Sequence, residues 1–193
     1  MIPGEFYEYI YIIFVALISI PLFKEYSNRQ NSLFGTYNVR SRFPEIFLVI
    51  ILVLFIGFRP ADKAFYDTMF YYDVIANRSL QFYGIDYEVE NLIFDNVLFY
   101  FSYKHWSYTV FFLLIASIYF VCSYIATRKL FPKDTLFAYL VFLAAFSTFS
   151  YSVNGIKAGA ASSIFLLGLA YREKLLISIP LVLLSWGIHH SMS

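Results

Sequence analysis

Residues 106–127 read WSYTVFFLLIASIYFVCSYIAT, a run with no Asp, Glu, Lys or Arg. A helix of about 20 apolar residues crosses the roughly 30 Å of hydrocarbon in a bilayer, so this stretch predicts a membrane span. His105 and Trp106 at its edge suit an interfacial anchor. Five further apolar blocks flank it, at 7–23, 43–58, 135–153, 156–171 and 175–189. The expectation is an all-α, polytopic membrane helix bundle of about six transmembrane helices, forming one domain over 1–193. Pro44 falls in a first helical turn, where a missing N–H costs least, and Pro180 marks a kink.

Composition agrees. Hydrophobic residues make up 60% of the 193 positions and charged residues 14%, against about a quarter charged in soluble domains. A net charge of +1 argues against nucleic acid, which calls for clustered Lys and Arg. The single cysteine, Cys122, excludes an internal disulfide, and no zinc spacing is present. Glu5 and Glu8 precede the first apolar run, where a signal peptide would carry positive charge. The sequence given stops at Ser193, just after the sixth block, which reads as the N-terminal part of a longer protein.

Charge then sorts the loops. Lys24, Arg29, Arg40 and Arg42 lie between the first two blocks; Arg128, Lys129 and Lys133 follow the third; Arg172 and Lys174 precede the sixth. The positive-inside rule puts these loops in the cytoplasm. The N-terminus and the loop 59–105 then face outward. That loop holds seven acids (Asp62, Asp67, Asp73, Asp86, Glu88, Glu90, Asp95) and many aromatics, too many aromatics for a disordered segment. A short helix is expected near 67–76, with Asp67 and Thr68 suited to its start. A second apolar piece at 91–103 is too short to span and shows no clean face, which fits an interfacial or re-entrant helix. Turns are expected at Asn77-Arg78-Ser79 and Tyr83-Gly84.

Each candidate site residue has a plain structural alternative. Arg59 can hold a phosphate by its fork of donors, or simply close a span by snorkelling. Asp67, with Tyr71 and Tyr72 nearby, and Glu90 can take a sugar hydroxyl's proton, while the aromatics suit sugar rings. The alternatives are a helix cap for Asp67 and surface solvation for Glu90. Lys157 starts an apolar block rich in small residues, at a helix N-terminus where the dipole disfavours a cation. An anion sharing that spot resolves the conflict, for instance a phosphate held by Lys157 and by backbone N–H groups beginning near Asn154-Gly155. The alternative is a lysine reaching for headgroups. His189 or His190 can carry a proton or bind a phosphate, or be an interfacial histidine. Their adjacency on a helix argues against a shared metal. Arg59, Asp67, Glu90, Lys157 and one histidine all fall on the outer side.

Gly57-Phe58-Arg59, Asp67-Thr68 with Tyr71, Glu90-Asn91-Leu92-Ile93-Phe94, Asn154-Gly155-Ile156-Lys157 and His189-His190-Ser191 occur in the order seen in one family. The chain resembles the EpsG-type bacterial polysaccharide polymerases, relatives of the O-antigen polymerases. Lys157 stands where that family usually has arginine, His189 where phenylalanine is common, and Tyr66 where glycine precedes the aspartate. The likeness covers the first half or so of a typical member. It implies a fold related to the C-type membrane glycosyltransferases. It also implies an enzyme of the bacterial cytoplasmic membrane, with the N-terminus outside, that grows exopolysaccharide or O-antigen from undecaprenyl-diphosphate-linked glycans. The implied partners are that substrate, membrane lipid, and chain-length regulators or other assembly proteins; no cofactor or metal is called for. Arg59, Asp67, Glu90, Lys157 and His190 would do the chemistry, and Tyr71, Tyr72, Asn154, Gly155 and His189 would line the substrate. A transporter or flippase of the same lipid, or a truncated non-catalytic membrane protein, are the competing readings.

Overall fold

A computed structural model describes residues 2–30, 43–77 and 91–190, with backbone only over 22–30. Among the described residues all regular structure is helical: a 3-10 turn at Gly4–Phe6, then α1 (Tyr7–Gln30), α2 (Phe43–Gly57), α3 (Tyr66–Ala76), α4 (Leu92–Tyr103), α5 (Tyr108–Leu130), α6 (Thr135–Ala144), α7 (Phe146–Val153), α8 (Ile156–Ala170) and α9 (Leu175–Ile188).

The count of six spans does not hold. Two helical stretches are long and apolar enough to cross a membrane, Gly4–Pro21 and Tyr108–Leu130, or up to three if the bent pair α6 and α7 is one span. Helices α2, α8 and α9 are apolar, but they have 15, 15 and 14 residues. At 1.5 Å per residue they reach about 21–23 Å, short of about 30 Å. The apolar blocks end within a residue of these helices, so their apolar character is as expected and only their length falls short. The block at 135–153 is also not one rod, because α6 and α7 meet at a 71° bend. Ala145 is extended there. Thr148 Oγ1 donates to the Phe142 carbonyl at 2.6 Å and Tyr11 Oη to the Leu143 carbonyl at 2.8 Å. Carbonyls freed by a broken helix must find donors, and these two hydroxyls supply them.

Helix α5 is the centre. Ser107 caps its start, its Oγ accepting from the Thr109 N–H at 3.2 Å, and Arg128 and Lys129 lie in its last turn, where cations favour the dipole. It packs on α8, α2, α6, α3 and α4. One apolar core joins it to α1, α2 and α6 through Tyr11, Leu52, Ile56, Phe120, Tyr139 and Leu143. A second joins it to α3, α4, α8 and α9 through Val74, Leu98, Phe111, Phe112, Ile156 and Ala161. The lining of α8 by Gly159, Ala160, Ala161 and Ser163 permits close approach in the manner of membrane helices. Ser185 on α9 donates to the Ala161 carbonyl at 2.9 Å.

The segment at 91–103 does have a buried face, formed by Phe94, Asp95, Leu98, Phe101 and Ser102. Its end is a reverse turn with His105 at φ 55°. The His105 N–H reaches the Ser102 carbonyl and the Trp106 N–H the Phe101 carbonyl. Trp106 stacks edge-on against Phe101 at 5.0 Å. This is a Schellman closure, so His105 serves a helix end. Helix α3 forms where expected, but Asp67 does not cap it: its N-cap is Phe65, with no side-chain cap. The expected turns at 78–79 and 83–84, and the basic residues Lys24, Arg29, Arg40 and Arg42, lie outside the described side chains.

A methyl group at Gly159 would stand 2.5 Å from the Tyr151 carbonyl oxygen of α7. Backbone cannot retreat as a side chain can. Gly159→Ala is expected to cost about 1–3 kcal/mol, read as a lower melting temperature of the detergent-solubilised protein.

Candidate functional site

The ends of α2, α7 and α9 and the starts of α3, α4 and α8 gather the polar side chains. The N-terminal end of α1 reaches the same region, since the Gly4 N–H donates to Asp62 Oδ2 at 3.0 Å. Asp62 also accepts from the Ala64 N–H, and these backbone donors hold its carboxyl below the usual range. The far end of α5 lies away from this region. There Lys129 sits over the ring of Tyr171, which ends α8, so α5 and α8 run parallel.

Arg59 follows α2 and turns inward, with 2% of its surface exposed. Its Nε donates to Thr68 Oγ1 at 2.8 Å and its Nη1 to the Ile56 carbonyl at 2.9 Å. The guanidinium lies over the Phe112 ring at 4.3 Å. Thr68, itself fully buried, donates to the Val153 carbonyl at 2.8 Å. Among the described residues Nη2 has no hydrogen-bond partner. Burial pushes the group down to about 9, partly opposed by Tyr7, so it remains charged at neutral pH. A phosphate would have to reach Nη2 inside the protein.

Lys157, at the second position of α8, pairs with Asp95 of α4 through Nζ and Oδ1 at 2.8 Å. Its ammonium also stands 5.3 Å from the Phe94 ring. Asp67, half-buried in the first turn of α3, is raised by burial, with Lys157 close enough to pull it back. One turn on, Tyr71 is buried against Phe94 and Phe111. Its hydroxyl is raised, first by burial and then by Asp67 and Asp95. Tyr72 points elsewhere and stacks edge-on against Tyr108 at 4.8 Å.

His189 is extended and ends α9, so the two histidines do not share a helix. Their rings meet nearly perpendicular at 5.3 Å. His189 Nδ1 lies 3.1 Å from Asn91 Oδ1. Its pKa is lowered, first by burial and then by His190 and Lys157, which favours the neutral ring. Gly155 makes room for the Tyr151 ring, which a Cβ would meet at 2.8 Å. The Asn154 Oδ1 is buried without a partner among the described residues.

Asp67, Tyr71, Lys157, His189 and His190 therefore share one region. Arg59 joins it from below through Thr68 and Val153, Tyr72 faces away from it, and Glu90 lies outside the described residues. Asp95, Asn91 and Thr68 are the members that sequence reasoning passed over. Asp95 had a signal: it is an acid at helical spacing with Phe94, Leu98, Phe101 and Ser102 in an otherwise apolar helix. Among the described residues no group of three or more His, Cys, Asp and Glu could hold a metal. A separate apolar cavity of about 360 Å³ lies at the α6–α7 bend, between Tyr11, Val15, Leu143, Phe146 and Phe149. It shares no lining residue with the polar region.

The fold and site define a membrane-associated, all-helical protein with ionisable groups collected at one end of its bundle. The EpsG family model matches residues 43–193, most of the chain, and the protein belongs to the EpsG family. No curated protein and no solved structure matches it. The family assignment supports a general role in polysaccharide polymerisation.

Replacing Thr68 by Val would strip partners from Arg59 Nε and the Val153 carbonyl at once. Thr68→Val is expected to destabilise the protein by about 1–3 kcal/mol for each buried group left unpaired, measured as loss of melting temperature. Thr68→Ser should retain most of the stability.

Proposed function

We propose that this chain polymerises lipid-linked oligosaccharide repeat units by glycosyl transfer from undecaprenyl diphosphate, at the outer face of the bacterial cytoplasmic membrane. The observation that carries the reading is the meeting of a half-buried carboxyl, Asp67, with a paired ammonium, Lys157, beside two histidines. Family membership supports the substrate class. The outward orientation is supported by the separation of this region from the Arg128 and Lys129 end of α5, which the positive-inside rule places in the cytoplasm.

In this reaction the acceptor hydroxyl oxygen attacks the anomeric carbon as the bond to the diphosphate oxygen breaks. Asp67 takes the hydroxyl proton. A carboxylate raised by burial is a stronger base than an ordinary one. Lys157 meets the negative charge growing on the leaving diphosphate, His190 adds a hydrogen bond, and Arg59 contributes its positive field and its Nη2, which has no hydrogen-bond partner among the described residues. One displacement inverts the anomeric centre. Tyr71 walls the space beside Asp67, while Asn154 and Gly155 form the turn that starts α8. Glu90 is an alternative carboxylate for the acceptor.

Lys157→Gln is expected to lower polymer output by about 10²-fold or more in cells that lack the intact protein, at equal membrane abundance. Polymer of normal length and amount would remove Lys157 from the mechanism.

Asp67→Asn should abolish polymer yet raise thermal stability at neutral pH. The sign follows from the raised pKa. Protonated Asp67 suits its buried place, so its contribution to stability is complete below about 3.8 and is lost as pH rises through the raised folded value. Wild-type activity should correspondingly fall on acidification at a pH above the ordinary carboxylate range near 4. Lys157 and Tyr71 are the charged and titratable neighbours that set this limb. Transfer rates across a pH series in isolated membranes, with melting curves, read both effects.

A further inference from the structure

Asp95 is an acid on the buried face of an apolar helix, with 8% of its surface exposed. Its neighbours on that face are Phe94, Leu98, Phe101 and Ser102. A buried carboxylate is costly unless it is paired. Its partner is Lys157, 62 positions away in the chain and 2.8 Å away in space. A buried ion pair adds little net stability over apolar residues of similar volume, so stability alone gives no reason for an acid here.

The pair is also uneven. The Lys157 side chain is 24% exposed and that of Asp95 10%. The Lys157 side chain thus keeps an open side, while the carboxylate that holds its ammonium is the more enclosed partner. An ammonium has three donors, and the start of α8 adds its own positive end. This is the place where a helix start and a lysine invite an anion, and the protein has put one of its own there.

We propose that Asp95 is a positioning residue that holds Lys157 at rest and competes with the substrate's diphosphate for it. The inference rests on the polymerase reading of this site and deepens it. An arriving diphosphate must share or displace the carboxylate. After transfer, the free lipid diphosphate is expelled more readily because Asp95 retakes the ammonium. Asp95 thereby sets the balance between binding and release, a role in which its negative charge weakens anion affinity.

The test depends on sign. The full chain, purified into nanodiscs, is titrated with inorganic pyrophosphate and, in a separate arm, with polyprenyl diphosphate. Asp95→Asn is expected to bind either probe about tenfold more tightly than wild type, since a nearby repulsive charge is gone. Asp95→Glu should restore the weak binding. Lys157→Gln and the double variant should both bind poorly. A merely structural Asp95 would give the opposite, because loosening Lys157 weakens anion binding or leaves it unchanged. Either result for Asp95→Asn, in protein that still melts cooperatively, overturns the proposal. If Asp95→Asn does not fold, Asp95→Ser, neutral and smaller, answers with the same sign. Tighter binding confined to the polyprenyl arm supports the proposal and assigns the anion to a lipid headgroup; tighter binding in both arms supports it for the diphosphate itself. The two readings fail separately. Normal polymer from Lys157→Gln cells ends the polymerase mechanism, even where the binding signs hold. Lost polymer with affinity for both probes unchanged in Asp95→Asn ends only this inference.

Discussion

A guanidinium that is charged at neutral pH sits inside this protein, and the site end of the bundle is built to keep it there. Arg59 is 2% exposed, and no carboxylate bonds to it among the hydrogen bonds described. Instead it has a hydroxyl, a carbonyl and the face of an aromatic ring. Neutral partners and a ring quadrupole can hold a buried cation only if all are placed together. That requirement fixes the end of α2 through Ile56, α3 through Thr68, α5 through Phe112 and the end of α7 through Val153. Asp67 is the neighbour of Thr68 and Asn154 the neighbour of Val153. The site residues are therefore located by the same contacts that bury the arginine.

Two kinds of charge then stand at this end of the bundle and are treated differently. Arg59 has spread its charge over neutral dipoles and, among the described residues, left Nη2 without a hydrogen bond. Lys157 has taken a full carboxylate and stays partly open. The first arrangement is rigid and the second exchangeable, because an ion pair with an exposed side can trade one anion for another. Asp67, raised by burial and eased by Lys157, would complete, under the proposed reaction, a set of base, cation and competing anion. Chemistry on a phosphate-linked sugar uses such a set, since the proton and the leaving charge must move in the same step.

Much of this was legible in the chain itself. The long helix around residues 108–130 and the helical character of the apolar blocks follow from composition, and the short helices at 66–76 and 92–103 were expected from start residues and segment length. So was the demand for an anion near Lys157, which came from the helix dipole. The blocks at 43–58, 156–171 and 175–189 end within a residue of their helices, so hydropathy placed these helices well, and it is their length that falls short of a span. Other features were not legible. Nothing in Leu143-Ala144-Ala145-Phe146 signals a bend, which depends on hydroxyls from Tyr11 and Thr148. Asp95 was one of seven acids in the loop, with nothing to single it out until its helical face was known.

Residue order alone settled that the chain is helical and apolar, and which family it belongs to. These are sums over local composition, and each position contributes independently. Where the chain bends between α6 and α7, which arginine is swallowed, and which carboxylate meets Lys157 were decided by tertiary contact. Those outcomes depend on donors and acceptors from segments as many as 132 positions apart. Such partners are invisible to any window of neighbouring residues, and only burial makes their pairing compulsory.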